Sequence, residues 1–193
     1  MSASLESAGD DVLNAARAGD ERAFAAVYRA TNPRLLRYAT GLVGQDAEDV
    51  TAEAWLQIAR DFSKFSGDEM AFRGWASTIV RNRAMDHVRA LARRPSSPME
   101  LSALDRPSPA ETEAIVTETL STREALALIG TLPQDQAEAV LLRVVVGLDA
   151  VTAAKVLNKR PGAVRVAAHR GLRTLAGRIE RSGAADSKPE VTP

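Results

Sequence analysis

The chain has 193 residues, enough for one ordinary domain or two small ones. Lysine and arginine together number 25, as do aspartate and glutamate, so the formal net charge is zero. The sequence has no cysteine and only two histidines, His87 and His169, which excludes disulfides, thiol catalysis and cysteine-based zinc sites.

The charges are segregated although the total is zero. Residues 71–94 contain six arginines and one acid, whereas residues 95–138 contain eight acids and two arginines. A second basic block follows Asn158. This alternation indicates two polyanion-binding surfaces separated by an acidic segment.

The N-terminus has neither a basic start nor an apolar run, and no apolar stretch reaches membrane-spanning length. These features predict a cytoplasmic protein without a signal peptide or membrane insertion. Residues 1–10 are small and polar and are predicted to be disordered.

The first helical pattern begins near Asp10 and pauses at Gly19. It resumes up to Asn32, where the following Pro33 is expected to end one helix and open another that runs to Val43.

The next helix carries acids where it begins. Residues 46–49 read Asp-Ala-Glu-Asp, a sequence that resembles a helix N-cap with acids in the first turn. Val50, Ala54, Ile58 and Phe62 follow at core spacing. The acidic outer face of this helix has two equally good interpretations: it binds a protein partner, or it is simply exposed to solvent.

Residues 62–68 form a predicted loop with two aromatics and one glycine, ahead of a helix from Glu69 to about Leu91. Asn82, Asp86 and Arg89 share a polar face of that helix. Aromatic rings, cations and an amide are the groups that bind single-stranded DNA. For Phe72 and Trp75 a core position is the favoured interpretation.

Residues 95–108 form a predicted linker, because residues 95–109 hold four of the nine prolines. The linker separates domains predicted at 11–94 and 109–181, and residues 182–193 are a predicted disordered tail. A capping box at Ser108–Glu111 is expected to open the second domain.

The C-terminal domain has the pattern of a helix-turn-helix. A helix from Gln134 to Val146 is followed by a short helix at 149–157, a turn at 158–160 and a helix opened by Pro161. The core positions expected in the two longer helices are Ala137, Val140, Leu141 and Val144, and Val164, Ala168, Leu172 and Leu175. The last helix is basic on its other face, which favours DNA binding over an amphipathic pair with solvated arginines.

Four blocks carry a family resemblance: residues 23–44, 46–55, 72–90 and 132–175. In this order they resemble the extracytoplasmic-function sigma factors of bacterial RNA polymerase, which keep only sigma regions 2 and 4. The resemblance implies an all-α fold of two small helical domains joined by a flexible linker, the C-terminal one a helix-turn-helix. It implies a protein that binds core RNA polymerase, directs it to a promoter and helps to open the DNA.

The resemblance also assigns residues to three surfaces. The polymerase-binding residues are Asp46, Glu48, Asp49, Glu53 and Gln57. The residues for the minus-ten element and its melting are Phe62, Lys64, Phe65, Arg81, Asn82, Arg83, Asp86 and Arg89. The residues for the minus-thirty-five element are Lys159, Arg160, Arg165, His169, Arg170 and Arg173.

The implied partners are the clamp helices of the largest polymerase subunit, the flap of the second-largest, promoter DNA and an anti-sigma factor. Neither a catalytic site, nor a metal, nor a cofactor is expected. Three departures from the family stand out: Ala52 replaces a usual Gln, residues 149–155 read DAVTAAK instead of an acidic and aromatic sequence, and Val166 and Ala167 replace polar residues. With fewer polar side chains on the recognition helix, readout is expected to depend partly on DNA shape.

Three other classes fit parts of the sequence. A sigma-like decoy that sequesters an anti-sigma factor predicts eroded basic faces, which the retained arginines oppose. An ordinary helix-turn-helix regulator predicts a ligand pocket or dimer seam before Pro95. An enzyme built on Asp86 and His87 is disfavoured, because neighbours in a helix point about 100° apart.

Overall fold

The computed structural model describes residues 2–93 and 113–186, and the side chains of residues 9–93 and 121–181. All regular structure in that part of the chain is helical, as predicted. Its α-helices are α1 (Ser2–Arg17), α2 (Glu21–Val43), α3 (Ala47–Asp61), α4 (Glu69–Arg93), α5 (Glu113–Gly130), α6 (Gln134–Val140), α7 (Ala150–Leu157) and α8 (Pro161–Asp186). The predicted linker at 95–108 and the capping box at Ser108–Glu111 lie outside the described residues.

In the N-terminal domain α2, α3 and α4 pack against one another, and α1 packs against α2 and α4. Val50, Ala54, Ile58 and Phe62 are all buried, which confirms the core spacing predicted for this helix. Their burial leaves the opposite face of α3 to solvent and thereby positions the acidic residues on the surface.

The first helix begins earlier than predicted. Residues 2–10 were expected to be disordered, but α1 starts at Ser2. Leu13 and Ala16 anchor the helix in the core, and the Asp10 carboxylate accepts a hydrogen bond from the Glu69 backbone N–H at 3.0 Å. This contact ties α1 to the start of α4, which local sequence could not reveal.

The predicted break at Pro33 is wrong, because α2 runs through it as one helix. A proline inside a helix removes a hydrogen bond and costs about 3 kcal/mol. Burial of Val27, Leu35 and Tyr38 on one face offsets that cost. The Arg34 guanidinium also donates to the Ala30 carbonyl at 3.3 Å, within the turn that the proline disturbs.

In the C-terminal domain α6 continues into a π-helical turn at Leu141–Val145. The Val146 N–H donates to the Leu141 carbonyl five residues back, at 3.0 Å. The wider turn shifts the buried face by one position, so Val146 is fully buried while Val144, predicted to be core, is 58% exposed.

The buried stripe of α8 also differs from the prediction. Val164, Ala168 and Leu175 are buried, but Leu172 is 45% exposed and Gly171 takes its place. Seven residues make almost two helical turns, so Gly171 lies in line with Val164 whereas Leu172 is rotated away. A Cβ at Gly171 would lie 2.8 Å from the Val140 side chain, so α8 approaches α6 closely only because this residue is glycine.

The end of α8 lies beyond the predicted boundary. A disordered tail was expected from residue 182, but the helix continues to Asp186. Within the described ranges, no helix is long and apolar enough to cross a membrane.

Candidate nucleic-acid and protein interfaces

The helix-turn-helix is built from two local signals that the sequence already contains. The Asp149 carboxylate caps α7 by accepting the Thr152 backbone N–H at 2.6 Å, and this bond holds the pKa of Asp149 below its ordinary value. Asn158 closes α7 in the left-handed conformation, with φ 51° and ψ 48°. Pro161 then opens α8, as predicted.

The outer face of α8 and the turn before it form a cationic surface. All six residues that the sequence assigned to it are exposed: Lys159, Arg160, Arg165, His169, Arg170 and Arg173. Lys159 is partly neutralised, because its Nζ lies 2.6 Å from the Asp135 carboxylate on α6. The remaining cations are available to phosphates.

Two apolar side chains interrupt the cationic surface. Val166 is 50% exposed and Leu172 is 45% exposed. Apolar side chains in the major groove contact the thymine methyl group but offer no hydrogen bond to a base edge. The face is therefore better suited to phosphate contact and shape than to a dense pattern of base hydrogen bonds.

A second candidate surface is the outer face of α3. Glu48, Asp49 and Glu53 are exposed there, as predicted. Leu56, which was not among the predicted site residues, is 75% exposed beside them. A large apolar side chain within an acidic helical face is unusual, and this feature of the sequence could have identified Leu56 as a candidate contact residue.

Leu56 borders an open groove of about 580 Å³ between α2 and α3. Tyr28, Leu36 and Trp55 contribute apolar surface to the groove, and Glu48 contributes charge. Trp55 is held in place because its Nε1–H donates to the Asn32 Oδ1 at 2.8 Å. The groove combines an apolar lining with the carboxylate of Glu48, which suits a helix that carries apolar residues and a basic one.

Two residues assigned to the polymerase surface have other contacts. The Asp46 Oδ2 lies 2.9 Å from the His87 Nε2, and the Gln57 Oε1 accepts from the Arg83 Nη2 at 2.7 Å. Asp46 also makes no side-chain cap on α3, contrary to the N-cap expected from the sequence. Asp46, in the turn before α3, and Gln57, on α3, therefore each contact a side chain of α4.

The two phenylalanines assigned to DNA are buried. Phe62 is 4% exposed and Phe65 is 8% exposed. Phe62 meets Phe24 and Phe72 edge to face with ring centroids 5.1 and 5.4 Å apart, and Phe65 stacks on Trp75 at 5.2 Å. Edge-to-face and stacked packing inside the domain occupies both rings, so neither faces solvent, and their assignment to DNA stays a prediction.

Burial of Phe72, and the packing of Trp75 against it, confirms the core interpretation of this pair.

Lys64, between Phe62 and Phe65 in the chain, is exposed, and its Nζ lies 3.2 Å from the Asp61 carboxylate. Hydrogen bonding to Lys64 lowers the pKa of Asp61.

The polar face of α4 is divided between solvent and neighbouring helices. Asn82, Asp86 and Arg89 are exposed, and the last two form an ion pair at 3.1 Å. Arg83 is directed toward Gln57, as described above.

Arg81 contacts the C-terminal domain. Its Nε lies 2.7 Å from the Glu138 Oε2 and its Nη2 lies 3.3 Å from the Oε1, a two-pronged ion pair that raises the pKa of Arg81. Glu138 is only 4% exposed and was counted in the sequence as one acid of the acidic segment. In the sequence, Glu138 stands among the apolar residues Ala137, Ala139 and Val140, and this position could have indicated that its carboxylate is buried and needs a charged partner.

Among the residues that the structure describes, no group of three or more histidine, aspartate or glutamate side chains is placed to hold a metal ion.

Two family models match the chain. Residues 27–94 match Sigma-70 region 2, and residues 122–175 match Sigma-70, region 4. The first match covers α3, α4 and most of α2, and the second covers the helix-turn-helix with α8 as far as Leu175.

Sigma factors of other bacteria are similar to this chain over most of its length. The ECF RNA polymerase sigma factor SigD of Mycobacterium tuberculosis is 31% identical over 180 residues, covering 90% of this chain and 85% of SigD. The ECF RNA polymerase sigma factor BldN of Streptomyces coelicolor is 31% identical over 172 residues, covering 86% of this chain and 64% of BldN.

Solved structures share the fold at lower identity. The structure of CnrH in complex with the cytosolic domain of CnrY has a TM-score of 0.64 at 20% identity, and covers 90% of this chain and 98% of CnrH. The sigma factor RpoE of Bartonella quintana, in complex with the anti-sigma factor NepR, has a TM-score of 0.62 at 19% identity, and covers 81% of this chain and 96% of RpoE.

Proposed function

The chain belongs to the extracytoplasmic-function sigma factors of the sigma-70 family, and we propose from this that it binds core RNA polymerase and directs promoter-specific initiation of transcription. In the proposed division of labour α3 contacts polymerase, α4 contacts the minus-ten element and α8 reads the minus-thirty-five element. The observation that carries the proposal is the exposed cationic face of α8 within a complete helix-turn-helix, on the same chain as an acidic, apolar-centred face of α3.

The proposed polymerase surface consists of Glu48, Asp49 and Glu53 together with the exposed Leu56, which follows them on α3. The leucine would supply an apolar contact and the carboxylates would set the orientation, a combination found at protein interfaces. We assign this surface to the clamp helices of the largest subunit, and the C-terminal domain to the flap of the second-largest.

On α4 the proposed DNA contacts are Asn82, Arg83, Asp86 and Arg89, with Lys64 at the loop before the helix. Arginine and lysine would hold the phosphates, and Asn82 would contact a base edge. Arg81 belongs to this set only when its bond to Glu138 is broken.

On α8 the proposed contacts are Arg165, His169, Arg170 and Arg173, with Lys159 and Arg160 in the preceding turn. With Val166 and Leu172 exposed between them, these side chains would position the helix mainly on phosphates, and sequence-dependent DNA shape would supply part of the specificity.

An anti-sigma factor is the proposed regulator. The support is family membership, together with the anti-sigma partner of the RpoE protein of the same fold. The groove bounded by Leu56 would be its docking site as well as that of polymerase, so the two partners would compete. The role needs neither catalysis nor a cofactor, and it places the protein in the cytoplasm.

The test is run-off transcription with core RNA polymerase from a related bacterium on a genomic promoter library. New discrete start sites that share two spaced upstream elements would support the proposal and identify the promoter. A protein that binds core polymerase or an anti-sigma factor but yields no start sites would instead be a decoy, and the proposal would fail.

A further inference from the structure

The first turn of α4 is capped from two directions. The Ala71 backbone N–H donates to the Asp68 carboxylate at 2.7 Å, a local cap from the residue before the helix. The Glu69 N–H donates instead to the Asp10 carboxylate on α1, 59 residues earlier in the chain. The first N–H groups of a helix have no partner within the helix, so each of these bonds stabilises the start of α4.

Two buried side chains on α1 bring Asp10 to this place. Leu13 is 2% exposed and Ala16 is 7% exposed, and Leu13 lies about one turn after Asp10 on the same side of the helix. A Cβ on Gly9 would lie 2.7 Å from the Glu69 Oε2, so α1 approaches the start of α4 closely beside the cap. The cap is therefore part of a packed contact between α1 and α4.

The same helix contacts both ends of the loop at residues 62–68, which joins α3 to α4. It touches the short helical turn with which the loop begins, as well as α4. Within the loop Phe65 is buried, and Gly67 has a φ of 144°, a conformation that residues other than glycine rarely adopt. Lys64 and Ser66 remain exposed between these fixed points. The loop therefore presents polar groups from a backbone that is held at both ends.

We propose that Asp10 is a positioning residue for promoter opening, which caps α4 from α1 and thereby fixes loop 62–68 in the shape that receives the minus-ten strand. The inference rests on the proposed function, because that function assigns the loop, through Lys64, to the minus-ten element. It adds a residue and a helix to the opening machinery, since the region 2 model matches residues 27–94 and α1 lies outside the match.

The role follows from the cost of unstacking DNA. Taking a base out of the stack is unfavourable, and contacts to the unstacked strand must offset that cost. A loop with one end free has to be ordered when the strand binds, and this ordering weakens binding. The cap orders the loop beforehand. Loss of a typical cap changes an equilibrium by a factor of about five, so the minus-ten strand should bind about fivefold more weakly without it.

The sign of the effect separates positioning from charge. Asp10 carries a negative charge beside the loop assigned to DNA, so its removal by itself should strengthen binding to any strand. The cap requires the opposite result for the minus-ten strand. Asp10→Ala removes both the charge and the acceptor, whereas Asp10→Asn removes only the charge, because its amide oxygen can still accept from the Glu69 N–H.

The experiment uses holoenzyme assembled from the full chain and core RNA polymerase. Fluorescence anisotropy measures the affinity for a labelled single strand that carries the minus-ten sequence and for a scrambled strand of the same composition, and the ratio of the two affinities is the discrimination. The minus-ten sequence comes from the run-off promoters or from a known promoter of a related sigma factor. Hydrogen exchange of the Glu69 amide in the full chain reports whether the cap is formed.

Asp10→Ala should lower the discrimination about fivefold and speed exchange at Glu69, whereas Asp10→Asn should retain most of both native values. The matched control is Asp11→Ala, which removes the same charge from the next position of α1, where the side chain is exposed. It should leave discrimination and exchange unchanged. Affinity for a minus-thirty-five duplex should be unchanged in every variant, because a general loss of structure would lower both DNA affinities together.

That pattern of results would support the proposal. Native discrimination in Asp10→Ala, or native exchange at Glu69, would overturn it, and equal effects of Asp10→Ala, Asp10→Asn and Asp11→Ala would mean that charge alone acts. If circular dichroism showed that Asp10→Ala had lost helical content, Asp10→Ser, whose hydroxyl is shorter and uncharged, takes its place with the same expected result.

Run-off transcription separates this inference from the proposed function. Start sites from the native chain together with native discrimination in Asp10→Ala would describe a sigma factor in which α1 has no part in opening. Absence of start sites from the native chain would instead contradict the proposed function, whatever the exchange at Glu69 shows.

Discussion

Arg165 and Arg173 lie two turns apart on the exposed face of α8 and are expected to contribute to phosphate binding. Each Arg→Ala substitution should weaken binding to a minus-thirty-five duplex and reduce the slope of log affinity against log salt by about 0.9, because one fewer counterion is released. The measurement is fluorescence anisotropy over a range of salt concentrations.

Arg178→Ala is the matched control for those two substitutions. It removes the same charge from the same helix, but the Arg178 guanidinium is engaged with the Thr131 hydroxyl. It should change the slope little. An equal effect of all three substitutions would mean that general charge, not the face of α8, governs binding.

Gln57 and Glu53 lie one turn apart on α3 but are expected to act on different steps. Gln57→Ala removes the acceptor that holds Arg83, and a hydrogen bond to a charged group of this kind is worth about 1.5–3 kcal/mol. It should slow promoter opening on the order of tenfold or more while leaving the affinity for core polymerase unchanged. Permanganate footprinting measures opening, and anisotropy with labelled protein measures core binding.

Glu53→Ala should have the reverse effect and weaken core binding, whereas Gln57→Glu should behave like the native protein because it retains an acceptor. If Gln57→Ala weakened core binding as much as Glu53→Ala, Gln57 would be a polymerase contact, as the family resemblance implied, and would not act by holding Arg83.

At the scale of the element, the stability of the helix-turn-helix depends on the cap of α7. Asp149→Ala removes the acceptor of the Thr152 N–H and should lower the free energy of unfolding by about 1 kcal/mol at neutral pH. Asp149→Asn retains an acceptor and should cost less. Urea denaturation of the three proteins measures both differences.

The same cap has a defined pH dependence. The pKa of Asp149 is lowered in the folded state, so its ionised form stabilises the fold above the unfolded pKa of about 3.9. That contribution is lost as the pH falls through the lower, folded-state pKa. The stability advantage of the native protein over Asp149→Asn should therefore shrink below pH of about 4, and a constant advantage down to pH of about 2 would contradict the assignment.

At the scale of the whole molecule, the buried side chains in the described part of the chain form one continuous cluster, in which Leu141 and Leu142 of the C-terminal domain join Leu35 and Tyr38 of the N-terminal domain. Such continuity should make the two domains unfold together. Scanning calorimetry of the native chain should show a single transition, and Gly41→Ala/Gly74→Ala should divide it into two, because the added Cβ atoms would collide with Leu141 and Thr152 and weaken the contact between the domains. Two separate transitions in the native chain would show that this contact adds little stability.

The sequence by itself determined the all-α fold class, the helix-turn-helix and the cationic face of α8. These features depend on residues close together in the chain: the cap at Asp149, the left-handed Asn158, the proline that opens α8 and the spacing of Val50, Ala54 and Ile58. Local hydrogen bonds and helical periodicity involve residues that are close together in the chain, so both can be recognised in the sequence without knowledge of the tertiary structure.

Only the tertiary structure decided which side chains remain available for binding. Pro33 stays within α2 because distant burial offsets its cost, and Phe62 and Phe65 are removed from the surface by rings from two other helices. Gln57, Asp46 and Arg81 were assigned to partners, yet each is engaged by a residue at least 26 positions away. Such pairings depend on how helices cross, and the free energy of burying or pairing a charge is set by neighbours that no local pattern identifies.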